Sequence, residues 1–304
     1  MKKSKGDNVN YLGILFGLLS LVIIILSLVF LVKDRHIFRD GLFPFKRWER
    51  AQGEKYLKKF SGRERAEGEE ILRGLHSVLD VKNVAGSIEI TGWDKDYFLI
   101  KYVKSGPTSE SIENLMAKIE TTKDSISIKR STADKRLKSR GTISFDIFIP
   151  DTVKSISVNS VSGSIELSRM DPGITQSLKT VSGKIETDNS GNLQAGSTSG
   201  SITFRFSGSD LRVNTVSGSI RGEMLNMTPG SLLDLSSVSG SIHVDADETL
   251  NAEIALKSVS GSISCDFPVT ISMKKRNRLE GKIGDGLIPL SIKTTSGSIK
   301  IRKL

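Results

Sequence analysis

The 304-residue sequence predicts an all-β protein, a single-domain parallel β-solenoid (β-helix) preceded by one transmembrane helix. The first observation behind this prediction is a short motif, Val-Ser-Gly-Ser-Ile, which recurs in tandem about every 16–22 residues. The second is an uncharged apolar segment near the N-terminus that is long enough to cross a bilayer. The third is a composition with 28 glycines, 7 prolines and 6% aromatic residues, which favours β-structure with many tight turns.

Each copy of the motif centres on a glycine between small or polar residues. Eight clear copies occur, and their glycines are Gly86, Gly163, Gly183, Gly200, Gly218, Gly240, Gly261 and Gly297. We interpret Gly281-Lys282-Ile283 as a degenerate further copy. Glycine suits a corner where the backbone needs a positive φ or where two layers approach closely. The eight glycines are therefore predicted to be structural corners.

Apolar residues alternate on both sides of each corner, as they do in strands with one buried face. Ile156 and Val158 precede Gly163, for example, and Ile165 and Leu167 follow it in shifted phase. The shift indicates that the chain turns at the Ser-Gly and keeps its apolar side inward. A strand–corner–strand unit repeated in tandem is typical of a β-solenoid. The alternative is an antiparallel sandwich whose hairpins turn at Ser-Gly, although hairpins do not need such uniform repeats.

The apolar segment at residues 12–32 has no charged side chain, and as a helix it spans ~31 Å against a bilayer core of roughly 30 Å. No small-residue cleavage site follows it, so we expect an uncleaved single-pass anchor behind a basic tail at residues 1–11. Gly13, Gly17 and Ser20 offer a small-residue face for helix packing, but glycine is also common in membrane helices generally. The basic residues on the two sides of the segment do not decide its orientation.

Residues 33–75 separate this anchor from the repeats. Aromatic and basic residues interleave in the first part, which is typical of a membrane interface. From Glu49 to Arg73 the chain is rich in Glu, Lys, Arg and Ala, which predicts a charged helical stalk or a flexible linker. The repeat domain is predicted to occupy residues 76–304, with further, less regular rungs within residues 104–160.

Charge and composition exclude several classes of protein. Of the formal net charge of +10, residues 1–75 supply +6 (15 basic minus 9 acidic residues), which argues against a nucleic-acid-binding fold as the body. The single cysteine, Cys265, excludes an intrachain disulfide framework and a Cys-rich zinc site, and it is expected to be buried as a small hydrophobe. We expect no cofactor, no metal and no nucleic-acid partner.

The residue after the motif isoleucine is predicted to point out of the solenoid. In chain order this position holds Glu89, Glu166, Glu186, Thr203, Arg221, His243, Ser264 and Lys300. The column changes from acidic to basic, which suggests either a polar ligand-binding strip or an ordinary solvated face. Glu166 and Glu186 resemble the paired carboxylates of a polysaccharide-cleaving enzyme, but no pocket-forming insertions surround them. We therefore predict no catalytic residues.

The C-terminal end suggests a guarded edge. The last motif ends three residues before the sequence does, so we expect an open sheet edge there. Lys300, Arg302 and Lys303 are interpreted as charges that discourage pairing, and docking into a homo-oligomer is the alternative. The basic cluster at residues 274–278 is expected in a loop, where it is either solvated or contacts anionic lipid, teichoic acid or another polyanion.

The tandem motifs, with Leu279–Gly286 and Thr294–Ile299 as their closing units, resemble the bacterial β-repeat family of putative adhesins. That family is similar to the LiaG-type proteins of cell-envelope-stress operons. The resemblance covers roughly residues 76–304 and implies a membrane-tethered or exported β-helix, and it brings no catalytic residues to transfer.

These observations together predict a non-enzymatic, membrane-anchored solenoid outside the cytoplasm of a bacterial cell. It would be adhesin-like or associated with envelope stress, with an envelope polymer or a protein as its partner. One alternative is a cytoplasmic, membrane-bound scaffold that polymerises, similar to bactofilins. The other is a β-helix enzyme that acts on polysaccharides.

Overall fold

The computed structural model describes residues 57–60, 63–134 and 140–304, which form 24 strands and one short helix. The expected transmembrane helix at residues 12–32, with Gly13, Gly17 and Ser20, lies outside the described residues. Within them, no helix is long and apolar enough to cross a membrane. The strands make up two sheets of twelve strands each, which we call sheet A and sheet B.

The strands of each sheet follow one another across the sheet in a defined spatial order. Sheet A contains, in that order, β1 (Leu57–Phe60), β2 (Arg63–Arg73), β5 (Tyr97–Gly106), β8 (Thr142–Ile149), β4 (Ile88–Gly92), β10 (Ile165–Ser168), β12 (Ile185–Ser190), β14 (Ile202–Phe206), β16 (Ile220–Met224), β18 (Ile242–Ala246), β24 (Ile299–Lys303) and β20 (Ile263–Cys265). Sheet B contains β21 (Thr270–Lys275), β22 (Arg278–Ile283), β19 (Ala252–Ser260), β23 (Ile288–Ser296), β17 (Leu232–Ser239), β15 (Asp210–Ser217), β13 (Asn192–Ser199), β11 (Thr175–Ser182), β9 (Ser155–Ser162), β3 (Val78–Lys82), β7 (Ser125–Thr132) and β6 (Leu115–Thr121).

Nine strands of each sheet pair in parallel, so the described residues contain nine rungs, each with one strand in sheet B and the next in sheet A. In spatial order the rungs are β7–β8, β3–β4, β9–β10, β11–β12, β13–β14, β15–β16, β17–β18, β23–β24 and β19–β20. The parallel pairing agrees with the predicted solenoid. The alternative prediction, an antiparallel sandwich, is wrong for these rungs.

The spatial order of the rungs departs from their order in the chain at both ends. Rung β7–β8 lies outside β3–β4, although it follows it in sequence. The last rung of the chain, β23–β24, is inserted between β17–β18 and β19–β20. The predicted open edge at the C-terminus is therefore wrong, because β24 has a strand on each side. Lys300, Arg302 and Lys303 lie on an interior strand and do not guard an edge.

Antiparallel strands extend the parallel stack. At one end β5, β2 and β1 continue sheet A, and β6 continues sheet B. At the other end the hairpin β21–β22 covers the outer side of β19. Gly281 belongs to this antiparallel hairpin, so its interpretation as a further repeat copy is wrong. Among the described residues, the short strand β20 is the edge strand of sheet A at this end.

The segment from Glu49 to Arg73 was predicted to form a helical stalk or a flexible linker. This prediction is wrong for the described part of the segment. Arg63–Arg73 form β2, which pairs antiparallel with β5 from Glu64 to Arg73. Ala66 is buried in this strand, while most of its neighbours are partly or fully exposed. The short helix α1 (Ser109–Glu113) then connects β5 to β6, and Thr108 caps its N-terminus.

The core lies between the two sheets and is lined by the predicted alternating apolar positions. The pairs before the corner, such as Ile156 and Val158, and after it, such as Ile165 and Leu167, are buried. The motif valine, by contrast, points outward, and Val259 is 60% exposed. A stack of aliphatic side chains, repeated from rung to rung, therefore supplies the hydrophobic stabilisation of the solenoid.

A buried hydroxyl three residues before each corner glycine was not anticipated from the sequence. Neighbouring strands align these side chains in one ladder, which comprises Ser160, Thr180, Ser197, Thr215, Ser237, Thr294 and Ser258. Ser258 Oγ donates to the carbonyl of Gly297 at 2.9 Å, and Thr294 Oγ1 donates to that of Gly240 at 3.0 Å. In rung β3–β4, Asn83 takes this position and donates to Ile143 O at 2.7 Å. These bonds satisfy carbonyl groups at the corner, which otherwise leaves the regular strand pairing.

Candidate functional site

Side chains on the outer face of sheet A form one continuous row across nine strands, which we call the sheet A row. In spatial order it contains Asp146, Glu89, Glu166, Glu186, Thr203, Arg221, His243, Lys300 and Ser264. The structure thus brings every residue of the predicted outward column together. It also adds Asp146, which the sequence did not reveal because β8 lacks the motif. The inserted strand β24 places Lys300 directly beside His243.

The acidic half of the sheet A row stacks four carboxylates on neighbouring strands. Burial raises the pKa of Glu89 above its ordinary value, and the charges of Glu166 and Asp146 raise it further. Burial also raises the pKa of Asp146, while the ammonium group of Lys101 opposes this shift. Lys184 forms an ion pair with Glu186. Like charges opposite each other destabilise a sheet, so this half of the row costs folding free energy at neutral pH.

Replacing Glu89 with glutamine is expected to raise the melting temperature at pH 7 by roughly 1–4 °C, because like charges on facing strands cost roughly 0.2–1 kcal/mol per pair. The raised pKa means that folding favours the protonated carboxyl. Stability therefore falls as pH rises from the ordinary pKa through the raised one, and the gain should vanish near pH 4. Thermal melts of both proteins at the two pH values measure this difference.

The exposed Glu248 provides the matched control, since Glu248→Gln removes the same charge from a loop. That control should leave the melting temperature unchanged within about 1 °C. A lower melting temperature for Glu89→Gln at pH 7 would contradict the repulsive stack.

The basic half of the sheet A row is joined to a second outward row, which lies two residues further along the strands and contains Thr91, Ser168, Arg205, Glu223, Asp245 and Arg302. Arg302 donates to Asp245 through Nε at 2.7 Å and through Nη2 at 3.0 Å, and His243 Nε2 lies 3.2 Å from Asp245 Oδ1. The hydrogen bond from Arg302 lowers the pKa of Asp245, and His243 lowers it further. On neighbouring strands of the same face, Arg205 donates to Glu223 at 2.8 Å. This second row is largely neutralised by ion pairs within the chain.

A groove of about 330 Å³ crosses the middle of this face, from β10 to β18. It is lined by side chains of both rows, among them Glu166, Glu186, Thr203, Arg205, Arg221 and Glu223. Glu166 and Glu186 are neighbours in register, as expected. Among the described residues, no group of three or more His, Cys, Asp or Glu side chains is placed to hold a metal ion. The groove therefore presents carboxylates, a hydroxyl and guanidinium groups on an open sheet face.

Another row, on the outer face of sheet B, was not predicted from the sequence, and we call it the sheet B row. In spatial order its residues are Lys118, Lys129, Lys82, Asn159, Lys179, Gly196, Asn214, Ser236, Lys293, Lys257, Arg278 and Lys275. Eight of these twelve positions are basic and none is acidic. The available signal was the residue four before each corner glycine, which is lysine or neutral in every clear repeat.

The two ends of the sheet B row differ in how their charges are paired. At the β6 end, Lys118 and Lys129 lie 2.7 Å and 3.6 Å from Glu120 carboxylate oxygens, and Lys82 lies 3.4 Å from Asp80. Towards the other end, Lys257 and Lys293 are exposed, and neither makes an ion pair within the described part of the chain. Free positive charge therefore concentrates towards the β21 end.

The hairpin β21–β22 extends the row of basic side chains. Lys275 and Arg278 face each other across the hairpin, and Arg278 aligns with Lys257 on β19. Arg278 also contacts Glu280, with Nε 2.7 Å from Oε1. The expectation of a loop is therefore wrong for Lys274, Lys275 and Arg278, which lie on strands, and right for Arg276, which lies in the turn between them. Four consecutive strands present a basic side chain, so this end of the row is a compact cationic patch.

Cys265 lies on β20, where it is half-buried and packs against the core. Burial raises the pKa of its thiol. A protonated thiol is a poor nucleophile, which fits a packing role for this side chain.

Comparisons with known proteins give a family and a set of structural neighbours. Residues 76–302 match the family described as Toastrack DUF4097. A putative cell adhesion protein from Clostridium sporogenes has 12% identity and a TM-score of 0.37, with 79% of this chain and 100% of that chain covered. A putative adhesin from Bacteroides fragilis has 14% identity and a TM-score of 0.39, with 78% and 96% covered.

A further neighbour, described as a putative lipid binding protein, comes from Parabacteroides distasonis. It has 11% identity and a TM-score of 0.28, with 78% of this chain and 96% of that chain covered. No curated protein matches the sequence.

Proposed function

Because the chain belongs to the Toastrack DUF4097 family, we propose that it is a non-enzymatic, membrane-anchored β-solenoid with an adhesin-like role outside the cytoplasm. Its partner in this proposal is an anionic polymer of the cell envelope, bound along the sheet B row. The apolar segment at residues 12–32 would be the anchor.

The sheet B row is the observation that supports a polyanion as partner. Neighbouring strands lie about 4.8 Å apart, so four consecutive basic side chains span roughly 14 Å in a straight line. A linear polymer with regularly spaced phosphates or carboxylates can follow such a line and contact several cations at once. Surface charges of one sign also steer a polyanion towards the site. Lys257 and Lys293 make no ion pair within the described part of the chain, whereas Arg278 contacts Glu280, which lies outside the row.

Neither alternative function has comparable support. The polymerising scaffold was suggested by basic residues after the expected anchor and by an open C-terminal edge, but β24 is an interior strand and β21–β22 covers β19. The enzyme was suggested by Glu166 and Glu186, but Glu186 is paired with Lys184 and both side chains lie on an open sheet face. A binding role therefore agrees best with the described surfaces.

Replacing both Lys257 and Lys293 with glutamine is expected to weaken binding of purified poly(glycerol phosphate) by roughly tenfold to thirtyfold. Each basic contact to an anionic surface contributes about 1 kcal/mol, and tenfold corresponds to about 1.4 kcal/mol. The full chain in detergent micelles would be titrated with the polymer by microcalorimetry at two salt concentrations. Binding should weaken as salt is raised, because exposed charges are screened.

The matched control removes two lysines outside the row, Lys123 and Lys154, which are both exposed. Lys123→Gln/Lys154→Gln should bind the polymer almost as tightly as the natural protein. If both double variants weakened polymer binding equally, the loss would depend on the net charge of the protein and not on the sheet B row. Absence of polymer binding by the natural chain would contradict the proposed partner, and binding to anionic lipid vesicles alone would identify a membrane surface instead.

A further inference from the structure

The sheet A row carries its two signs of charge in separate halves. Asp146, Glu89, Glu166 and Glu186 occupy β8, β4, β10 and β12, and Arg221, His243 and Lys300 occupy β16, β18 and β24. Thr203 on β14 separates the halves. A face with one acidic and one basic half is complementary to a second copy of itself in reversed order.

The arrangement that reverses the order is a two-fold axis in the plane of the interface, parallel to the strands and midway between β12 and β14. It sets β12 against β14, β10 against β16, β4 against β18, and β8 against β24 of the second copy. In the sheet A row, three pairs of an acidic with a basic side chain result on each side of the axis, namely Glu166 with Arg221, Glu89 with His243, and Asp146 with Lys300. Glu186 meets the hydroxyl of Thr203.

The second outward row fits the same axis. On β12 the register is irregular after Thr187, and the Asp188 carboxylate already accepts hydrogen bonds from the backbone N–H groups of Arg169 and Met170, so Arg205 of the other copy gains no charged partner there. Ser168 and Thr91 would offer hydroxyls to Glu223 and Asp245. Phe148 on β8, stacked on Trp93 with ring centroids 5.0 Å apart, would face Arg302, which suits a cation–π contact.

Other placements of two copies match less well. Moving the axis onto β14 would set Arg205 against its own copy. An axis along the stacking direction of the rungs would set each carboxylate of the acidic half against itself. Neither row contains a pair of like charges when the axis lies between β12 and β14, and Asp146, Glu89 and Glu166 then all face a basic side chain.

We propose that sheet A is a self-recognition surface, and that two copies of this chain associate face to face with their rungs in opposite order. The contact is isologous, so each cross-copy pair occurs twice and the assembly closes at two subunits. Eight strands of about 4.8 Å spacing and a width of roughly 15 Å give about 600 Å² per copy, which is at the small end of stable interfaces. This inference is independent of the polymer partner, which would bind the opposite sheet.

Charge reversal at one pair tests the proposed register. Sedimentation of the full chain in detergent micelles would be measured for the natural protein, Glu166→Arg and Arg221→Glu. Each single variant sets two like-charge pairs against each other across the axis, so its dissociation constant should rise at least tenfold. An equimolar mixture of the two variants should form a heterodimer, because the arginine introduced at position 166 of one copy then faces the glutamate introduced at position 221 of the other. The double variant Glu166→Arg/Arg221→Glu should self-associate again.

The controls separate this contact from others. Lys154→Glu and Glu248→Arg change charge at exposed positions away from both outward rows of sheet A, and their dimerisation should be unchanged. Circular dichroism would verify that each variant is folded. A natural chain that stays monomeric at about 100 µM, well above the dissociation constants of specific complexes, would overturn the proposal. So would single variants that dimerise normally, which would indicate contact through another region, or a mixture that fails to associate.

Discussion

Replacing Ile301 with alanine is expected to lower the free energy of unfolding by about 3–4 kcal/mol, which is a typical cost of truncating a fully buried isoleucine. Ile301 is 0% exposed and lies on β24, between Val244 of β18 and Cys265 of β20. Loosening this strand also affects rung β19–β20, whose parallel neighbour among the described strands is rung β23–β24. Removal of residues 299–304 deletes the partner of β20, whereas β19 keeps its pairing with β23, so β19–β20 and the hairpin β21–β22 should become the least stable part of the described chain.

Denaturant titration followed by circular dichroism measures the effect. Ile271→Ala is the matched control, because Ile271 is 50% exposed on the hairpin and its truncation should cost less than about 1 kcal/mol. Limited proteolysis of the truncated chain should cut first within residues 252–287. If Ile301→Ala cost no more than the control, or if the truncated chain kept residues 252–287 protected, β24 would have to be a peripheral strand.

Replacing Gly200 with alanine is expected to cost about 3 kcal/mol or more, because the corners of adjacent rungs approach too closely for a side chain. A Cβ at this position would lie 2.0 Å from the carbonyl oxygen of Gly183. That oxygen belongs to the backbone of the neighbouring rung, so relief requires the two rungs to separate. Overpacking in well-packed regions costs typically about 1–3 kcal/mol when neighbours can move, and here they cannot move freely.

Thermal melts compare this variant with Gly173→Ala. A Cβ at Gly173 would meet only the carboxylate of Asp171, at 3.0 Å, in an exposed turn. The control should therefore change stability by less than about 1 kcal/mol. If the two variants were equally stable, the corner could expand to accommodate a side chain, and glycine would not be required at this position.

The structure of each rung could be predicted from the sequence because it is encoded locally. Alternation of apolar residues around Gly163 determines which side chains of that rung are buried. This pattern is local and does not depend on any residue distant in the sequence. The buried hydroxyl at Ser160 was equally local, but it was overlooked because a polar residue was not expected to face the core.

The order of the rungs could not be predicted because every rung presents the same edge to its neighbours. The motif at Gly297 is compatible with either side of rung β19–β20, and only the packing of complete rungs selects its interior place. Gly281-Lys282-Ile283 resembled a repeat because an antiparallel strand has the same period-2 alternation as a parallel one.

The outward-facing rows could likewise be predicted only where they depend on local sequence. The outward column from Glu89 to Lys300 followed from the repeat itself, whereas Asp146 lies on a strand without the motif. The sheet B row depends on the hairpin that sets Arg278 beside Lys257, a contact between residues 21 positions apart. Arg63–Arg73 has a helix-forming composition, but pairing with β5 overrides that preference.

The most direct test of the proposed role is the side of the membrane on which the solenoid lies. In a Cys265→Ser background, Lys123→Cys would place a single thiol on the exposed turn between β6 and β7, and Ser4→Cys would place one ahead of the expected anchor. Spheroplasts would be treated with a membrane-impermeant maleimide before and after lysis. We predict that Lys123→Cys is labelled before lysis and that Ser4→Cys is labelled only after it. The reverse pattern would place the solenoid in the cytoplasm and contradict a role in binding envelope polymers.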